Sequence, residues 1–356
     1  MKNTNASSHK IATGILSFGM SGKVFHAPFI QHHPGFDLVG IVERTKHESA
    51  ALYPEAIIYK SVEALLQNKD IELVVVNTPT HTHFEYAKQA LEAGKHVIVE
   101  KAFTTTAAEA ETLTALAAKL GLVLSVYQNR RWDSDFGTVY QIIQSNQLGE
   151  IHTAEFHFDR FKTQLSAKQH KETPNAGAGL LLDLGPHLID QALYAFGMPN
   201  AVSADIRRLR PHSLVDDDFS LVLYYPTLRV TLKSSLLVKE PIPSFVLHGT
   251  KGSFVKQRAD LQEAALIDGQ SPFTPNWGIE PATAMGVLHI EKDGQDYSTY
   301  IPSVAGNYGA FYEGIYQTIA HQAPCLVTGK DGWNVMTIIE AAQLSHATQT
   351  VVKIPA

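Results

Sequence analysis

A single cysteine, Cys325, stands in a chain of 356 residues, so no disulfide can close within it. That scarcity fits a reducing compartment or indifference to redox state. Long apolar runs are missing too: none approaches the roughly 20 residues needed to span a bilayer. The polar stretch Met1 to Lys10 lacks the apolar centre of a secretory signal. A cytoplasmic protein with no membrane partner is expected. There is no basic excess either. With 29 Lys and Arg against 35 Asp and Glu, a net charge of −6 and no basic cluster, no nucleic-acid partner is expected, and small-molecule chemistry becomes the default. Low-complexity segments and fixed-period repeats are absent, and His81 and His83 have no cysteine or carboxylate near them in a ligand spacing, so no metal is expected.

What is present is an apolar fraction of 44%, ample for packing, in a chain long enough for two domains. The organising stretch is Val97 to Val99 followed by Glu100-Lys101-Ala102, a short β-type run that stops on an acid and a lysine. In an open α/β sheet the ligand crevice lies at the carboxyl ends of the strands, which places Lys101 at a candidate catalytic centre. The plainer alternative is a solvated pair after a strand.

Upstream, the apolar run Ile11 to Leu16 is followed by Ser17-Phe18-Gly19-Met20-Ser21-Gly22, the strand-to-helix turn of a dinucleotide fold, in which glycines let the backbone approach a pyrophosphate at a helix N-terminus. Ser17 stands where the first glycine of G-x-G-x-x-G belongs. Phe36 to Val42 reads as a second strand ending in Glu43-Arg44, where an acid would hold the adenosine ribose of NAD and a guanidinium would either stack on adenine or pair with the 2′-phosphate of NADP. The choice stays open, with a lean to NAD.

Ile71 to Val76 is a third strand, ending in Asn77-Thr78-Pro79. Thr82 and Glu85 have the spacing of a capping box for a helix that contains Tyr86 to Ala93 and stops at Gly94, with His83 at its start. A helix from Thr106 to Leu120 closed by Gly121 and a strand from Leu122 to Val126 continue the alternation, which implies a parallel sheet.

The domain boundary is expected in Tyr127-Gln128-Asn129-Arg130-Arg131-Trp132. Beyond it come a helix from Asp133 to Ser145, a strand from Ile151 to Phe158 with Glu155, His157 and Asp159 on one face, and a polar insertion from Lys162 to Ala176. In Gly177 to Asp190 a helix would set Asp183 and His187 four residues apart on one face. Gly185-Pro186 is irregular there, because a proline inside a helix costs on the order of 3 kcal/mol and needs a compensating reason. Repeated strands follow: Val202 to Leu209, Asp218 to Tyr225, Leu228 to Leu237, Ser244 to His248 and Gly252 to Lys256, read as consecutive antiparallel neighbours of an open sheet. Trp277, Trp333, Phe311 and Tyr312 read as packing residues; Tyr308 reads as packing or as a substrate contact.

The dinucleotide turn, the Glu100-Lys101 strand end and the spacing Gly179-x-x-x-Asp183-x-x-x-His187 together resemble the Gfo/Idh/MocA oxidoreductases over essentially the whole chain. Gly22 to Ile30 and Gln128 to Trp132 look like a subgroup that includes scyllo-inositol dehydrogenases. The resemblance implies an α/β chain with a doubly wound parallel Rossmann sheet over residues 1–128, binding NAD or NADP, and a C-terminal α/β domain over 129–356 with a large, mostly antiparallel open sheet. Lys101, Asp183 and His187 fall on the family's catalytic positions. Ser17, Phe18, Gly19, Met20, Ser21, Gly22, Glu43, Arg44, Asn77, Thr78, Pro79, His83, Glu100, Lys101 and Gln128 fall at its cofactor site, and Asn129, Arg130, Asp159 and Tyr308 are the candidate substrate contacts.

The implied activity is hydride transfer between NAD(P) and a secondary alcohol or carbonyl of a sugar, inositol or related polyol, in a homodimer or homotetramer formed through the C-terminal sheet. The alternatives are a non-catalytic NAD(P)-dependent sensor and a glycosidase-like enzyme that retains its NAD. Ala102 replaces the proline usual after the lysine. A cis Lys101-Ala102 bond would cost about 2.5–4 kcal/mol, so a trans bond is expected.

Overall fold

The computed structural model describes residues 9–166 and 172–355. Most of Met1 to Lys10 and the middle of the polar insertion lie outside the described residues. Six parallel strands form the first sheet: β1 (Ile11–Ile15), β2 (Phe36–Val42), β3 (Ile57–Tyr59), β4 (Leu73–Val76), β5 (His96–Val99) and β6 (Leu124–Val126), in the order β3-β2-β1-β4-β5-β6. Helices cover both faces, so the middle strands are apolar without alternation; all four residues of β4 are fully buried. The chain reverses direction across the sheet between β1 and β4, the switch point at which such sheets open a crevice.

The helices of this half are short except the last: α1 (Ala27–His32), α2 (Glu48–Leu52), α3 (Val62–Leu66), α4 (His83–Glu92) and α5 (Ala107–Leu120). Thr106 caps α5 by accepting from Glu109 N, and Gly121 ends it at φ 67°. The capping box expected at Thr82 is not formed. The Thr82 hydroxyl instead donates to Pro79 O and pairs with Thr78 Oγ1, and Glu85 accepts from Gln89, because a short 3₁₀ turn over Thr80–Thr82 leads into α4.

Among the described residues, nine strands form the second sheet. They are β7 (Ile151–His157), β8 (Ala201–Arg207), β9 (Asp218–Tyr224), β10 (Arg229–Ser235), β11 (Phe245–Gly249), β12 (Gly252–Lys256), β13 (Gly286–Lys292), β14 (Gln295–Ile301) and β15 (Val352–Lys353), in the order β14-β13-β12-β11-β7-β10-β9-β8-β15. The expectation that the strands from Val202 to Lys256 are all consecutive neighbours fails at one place. β7 enters between β10 and β11 and pairs in parallel with β10, so these two are separated.

Helices α6 (Ser134–Gln144), α7 (Leu180–Asp183), α8 (Gly185–Phe196), α9 (Gln262–Ile267), α10 (Gly309–His321) and α11 (Gly329–Thr348) complete the described elements. The single helix expected across Asp183 and His187 is two helices broken at Leu184. Pro186 lies in the first turn of α8, where its missing N–H has no intrahelical partner to lose, so the penalty of a proline in a helix interior does not arise. The long α11 packs against α5 of the first half and β8 of the second. Thr328 and Asp331 form a full capping box at its start.

Candidate active site

The loop after β1 lies at the switch point. Ser17 Oγ accepts from Gly19 N at 3.3 Å and Ser17 O accepts from Asn77 Nδ2 at 2.8 Å, which ties the turn to the end of β4. A Cβ on Gly22 would lie 2.2 Å from Ser17 O, so glycine is required for this close approach. A Cβ on Gly19 would meet only Ser17 Oγ, at 3.6 Å, which leaves the outer side of the loop open. Phe18 is buried against the edge of Tyr53, while Met20 is exposed. Asn77 Oδ1 and Gln128 Oε1 are buried without a partner, a condition native proteins avoid unless a ligand or water completes it. An open loop at a switch point beside unsatisfied polar atoms fits a dinucleotide. Among the described residues no group of three metal-ligating side chains converges.

Glu43 sits at the end of β2, as expected, but both oxygens are engaged locally. Oε1 accepts from Glu48 N at 3.1 Å, and Oε2 accepts from Ser49 N at 3.1 Å and from Ser49 Oγ at 2.6 Å. This carboxylate caps α2 instead of pointing to a ribose. Arg44 beside it is exposed and donates to Tyr86 OH at 3.1 Å. His83 is buried between two carbonyls, with Nδ1 2.8 Å from Ala102 O and Nε2 2.8 Å from Thr78 O, so it clamps the turns after β4 and β5. Burial holds its ring below the usual histidine range. Pro79 precedes the 3₁₀ turn that opens α4.

The Lys101-Ala102 bond is cis, contrary to the trans bond expected for an alanine. Tertiary contacts decide the conformation at this turn: Ala102 is buried with its carbonyl held by His83, and Lys101 N donates to Glu100 Oε2 at 3.1 Å. Lys101 Nζ then reaches the second half of the chain, donating to Asp183 O at 2.7 Å and to Asp183 Oδ1 at 3.2 Å. His187 lies in the first turn of α8, 5% exposed, with its Nδ1 buried and unpartnered. Burial first, then the charges of Lys101 and Arg130, pushes its pKa well below the ordinary histidine value, with Asp183 pulling the other way. A shift in that direction keeps the ring neutral at working pH.

The remaining candidates form a charged wall. Arg130 pairs with Asp133 at 3.1 Å and with Glu263 at 2.5 Å, and stacks 4.9 Å from the Phe158 ring. Asn129 is buried beside it in the same 3₁₀ turn. Asp159 accepts from Ser235 N at 3.0 Å, and its other oxygen lies 3.4 Å from His157 Nδ1. Tyr308 is fully buried; its hydroxyl donates to Asp133 Oδ1 at 2.7 Å, which places it behind Arg130 as a packing residue. Burial, opposed by Arg130, pushes the Asp133 carboxyl up to about 8.

Two residues escaped sequence reasoning. Arg258, just past β12, stacks 4.3 Å from Phe158 and adds to the field that keeps His187 neutral. No spacing signals it, since tertiary convergence alone brings it there. His26 is the other: the run from Gly22 to Ile30 marked its segment without indicating that its ring meets Glu100, 3.0 Å away.

Comparison with known proteins identifies the family to which both halves belong. A family model described as the NAD-binding Rossmann fold of an oxidoreductase family matches residues 11–128, and one described as the C-terminal alpha/beta domain of that family matches residues 141–354. The chain is 37% identical to scyllo-inositol 2-dehydrogenase (NADP(+)) of Bacillus subtilis over 335 residues, covering 94% of this chain and 93% of that protein. Among solved structures, one from Bacteroides fragilis named only as an oxidoreductase is 47% identical with a TM-score of 0.89, covering 97% of this chain and 100% of that one. The oxidoreductase YvaA of Bacillus subtilis is 35% identical with a TM-score of 0.94, covering 98% of this chain and 99% of its own. No helix among the described residues is long and apolar enough to cross a membrane.

Proposed function

The chain belongs to the Gfo/Idh/MocA oxidoreductase family and is an NAD(P)-binding oxidoreductase, and from that premise we propose that it interconverts a secondary alcohol and its ketone on a sugar, inositol or related polyol, with NADP as its cofactor. The observation that carries this reading is the meeting of Lys101 with Asp183 beside an unpartnered, neutral His187 at the carboxyl end of a Rossmann sheet.

Ser17 to Gly22, Arg44, Asn77 and Gln128 are the residues that would hold the cofactor, which would supply the hydride acceptor or donor. The chain's own residues handle the proton and the charge. An ammonium has three N–H donors, and two of those on Lys101 are spent on Asp183. The third serves the substrate oxygen, whose negative charge grows as the hydride leaves the same carbon; a hydrogen bond that strengthens in that way stabilises the transition state more than the alcohol. His187 takes the hydroxyl proton in oxidation and returns it in reduction. Asp183 is a positioning residue that orients Lys101. Asn129, Arg130 and Asp159 provide hydrogen-bonding groups suited to a polyhydroxylated substrate, and the proposed assembly is a homodimer or homotetramer through the second sheet.

NADP is proposed over the NAD favoured by sequence because Glu43 is committed to capping α2 while Arg44 stands exposed beside it. The related enzyme named for NADP(+) supports the same choice. The test is nicotinamide reduction, followed by near-ultraviolet absorbance, with NAD and NADP against inositols, aldoses and other polyols. Turnover with NADP is expected. Arg44→Ala should raise the KM for NADP about 10- to 100-fold, the value of a charge-assisted hydrogen bond, and leave that for NAD within about twofold. Equal change for both cofactors would refute the role of Arg44, and silence with every polyol would refute the proposed substrate class.

A further inference from the structure

The segment Gly22–His26 is a wide π turn closed by a bond from Ala27 N to Gly22 O. Pro28 follows and has no N–H to offer the Val24 carbonyl, so a regular helical ladder cannot continue through this point. Such turns often occur at functional sites. Here the turn leads to His26, whose ring is fully buried, 4.6 Å from the ring of Tyr127, and bonded on both sides. Nε2 lies 3.0 Å from Glu100 Oε1 and Nδ1 lies 2.6 Å from Tyr312 OH.

The donors can be counted. Glu100 is ionised: the bonds from His26 and Ser21 outweigh burial and hold its carboxyl at about 2, so it only accepts. His26 Nε2 therefore carries a proton and donates it. Tyr312 OH lies within reach of both His26 Nδ1, at 2.6 Å, and Phe25 O, at 3.0 Å, and Tyr127 OH also donates to Phe25 O at 3.1 Å. Whichever way the Tyr312 proton turns, the bond from Nε2–H to Glu100 is kept. The same carboxylate accepts from Ser21 Oγ at 2.5 Å and from Lys101 N at 3.1 Å. One buried anion thus joins the cofactor loop to the backbone of the lysine, and His26 joins that anion to α10 in the second half of the chain.

We propose that His26 is a positioning residue for hydride transfer: by holding the Glu100 carboxylate against the Lys101 backbone and the Ser21 hydroxyl, it sets the lysine and the cofactor loop in one register, and through Tyr312 it anchors that register to the C-terminal half. The proposal rests on the reading above that Lys101 serves hydride transfer. A charge buried with a partner missing is costly, so without His26 the carboxylate must relax or take up a proton, and the lysine turn moves with it.

The test compares His26→Leu, His26→Gln, Glu100→Gln and the double variant His26→Leu/Glu100→Gln in NADP-linked turnover. His26→Leu is expected to lower kcat about 10- to 100-fold, the scale of a small displacement of a reacting group. His26→Gln, whose side-chain amide can still donate to Glu100, is expected to recover most of the rate. The double variant should be no slower than the slower single one, since both act through the same contact. Independent, multiplying losses, or a glutamine no better than leucine, would overturn the proposal, as both belong to a residue that merely fills space.

A second readout needs no substrate. In ligand-free protein labelled at the glutamate carboxyl carbon, Glu100, identified by its disappearance in Glu100→Gln, should stay ionised below the ordinary carboxylate range, down to the pH at which the protein unfolds. His26→Leu should move its titration up toward the ordinary carboxylate range. Ser21, Lys101, Tyr127, Tyr312 and His83, the other polar or ionisable groups around it, are unchanged in that comparison. An unmoved titration would overturn the His26 contact. Absence of turnover in the wild-type protein, beside a titration that moves, would refute the hydride-transfer reading instead. If His26→Leu does not fold, Tyr312→Phe carries the test, with a severalfold loss of kcat expected and an unchanged kcat overturning the anchor to α10.

Discussion

The neutral state of His187 sets a measurable dependence of stability on pH. Its imidazole is buried in the folded protein and surrounded by Lys101, Arg130 and Arg258, which together with burial hold its pKa well below 6.5. In the unfolded chain the ring returns to about 6.5. Between those two values the unfolded state binds the extra proton, so stability rises with pH there and is lost as the pH falls. The penalty cannot exceed RT ln(1 + 10^(6.5 − pH)), the limit for a ring that stays neutral, which is under about 0.1 kcal/mol at pH 7.5 and about 2 kcal/mol at pH 5.0. His187→Gln removes this contribution and leaves His83, the other histidine at the site depressed by burial, in place. Urea unfolding of both proteins at several pH values should therefore give curves that converge on acidification, the wild type losing more than the variant between pH 7.5 and 5.0, by up to about 2 kcal/mol. Parallel curves would mean that the folded ring takes up its proton near the ordinary value, and the reasoning that burial and the charges of Lys101, Arg130 and Arg258 depress His187 would fall.

Other substitutions test separate parts of the structure. Lys101→Ala should reduce kcat by about 100-fold or more while changing nucleotide affinity little, because its ammonium is assigned to charge that grows only in the transition state; equal loss of both would make it a binding residue. Gly22→Ala forces a Cβ to within 2.2 Å of Ser17 O, so nucleotide binding by calorimetry should drop steeply while the far sheet keeps its stability; undiminished binding would refute the close approach. Lys256 and Glu280 form a fully buried pair 2.7 Å apart, and Glu280→Gln should destabilise the second half by about 3–5 kcal/mol in denaturant unfolding, as an uncompensated buried ammonium does.

The parts of this molecule that were readable in advance are those whose geometry is local. β4 and the Val97–Val99 part of β5 show as unbroken apolar runs because a parallel sheet buries both their faces, and Asn77, Glu100 and Lys101 stand directly after them at the carboxyl edge of the sheet. Some missed elements also carried local signals. Thr328 and Asp331 have capping-box spacing before the apolar positions Val335, Ile338, Ile339 and Ala342 of α11, and Asp293-Gly294, both at positive φ, mark the two-residue turn between β13 and β14. The residues no pattern could supply are those defined by a partner far along the chain. Whether Glu43 faces a ribose or caps a helix depends on the backbone of Glu48 and Ser49 turning toward it, and both outcomes are compatible with an acid at the end of β2. Arg258 and His26 are ordinary residues in sequence: His26 meets Glu100 only when the turn after β1 and the end of β5 come together at the carboxyl edge of the first sheet, and Arg258 adds to the field at His187 only when the end of β12 and the start of α8 converge in the second half. The motif residues thus identify the chemistry, while the groups that set their protonation and register arrive by packing. For that reason substitutions at Arg258 and His26, which no motif marks, should alter pH profile and rate before they alter binding.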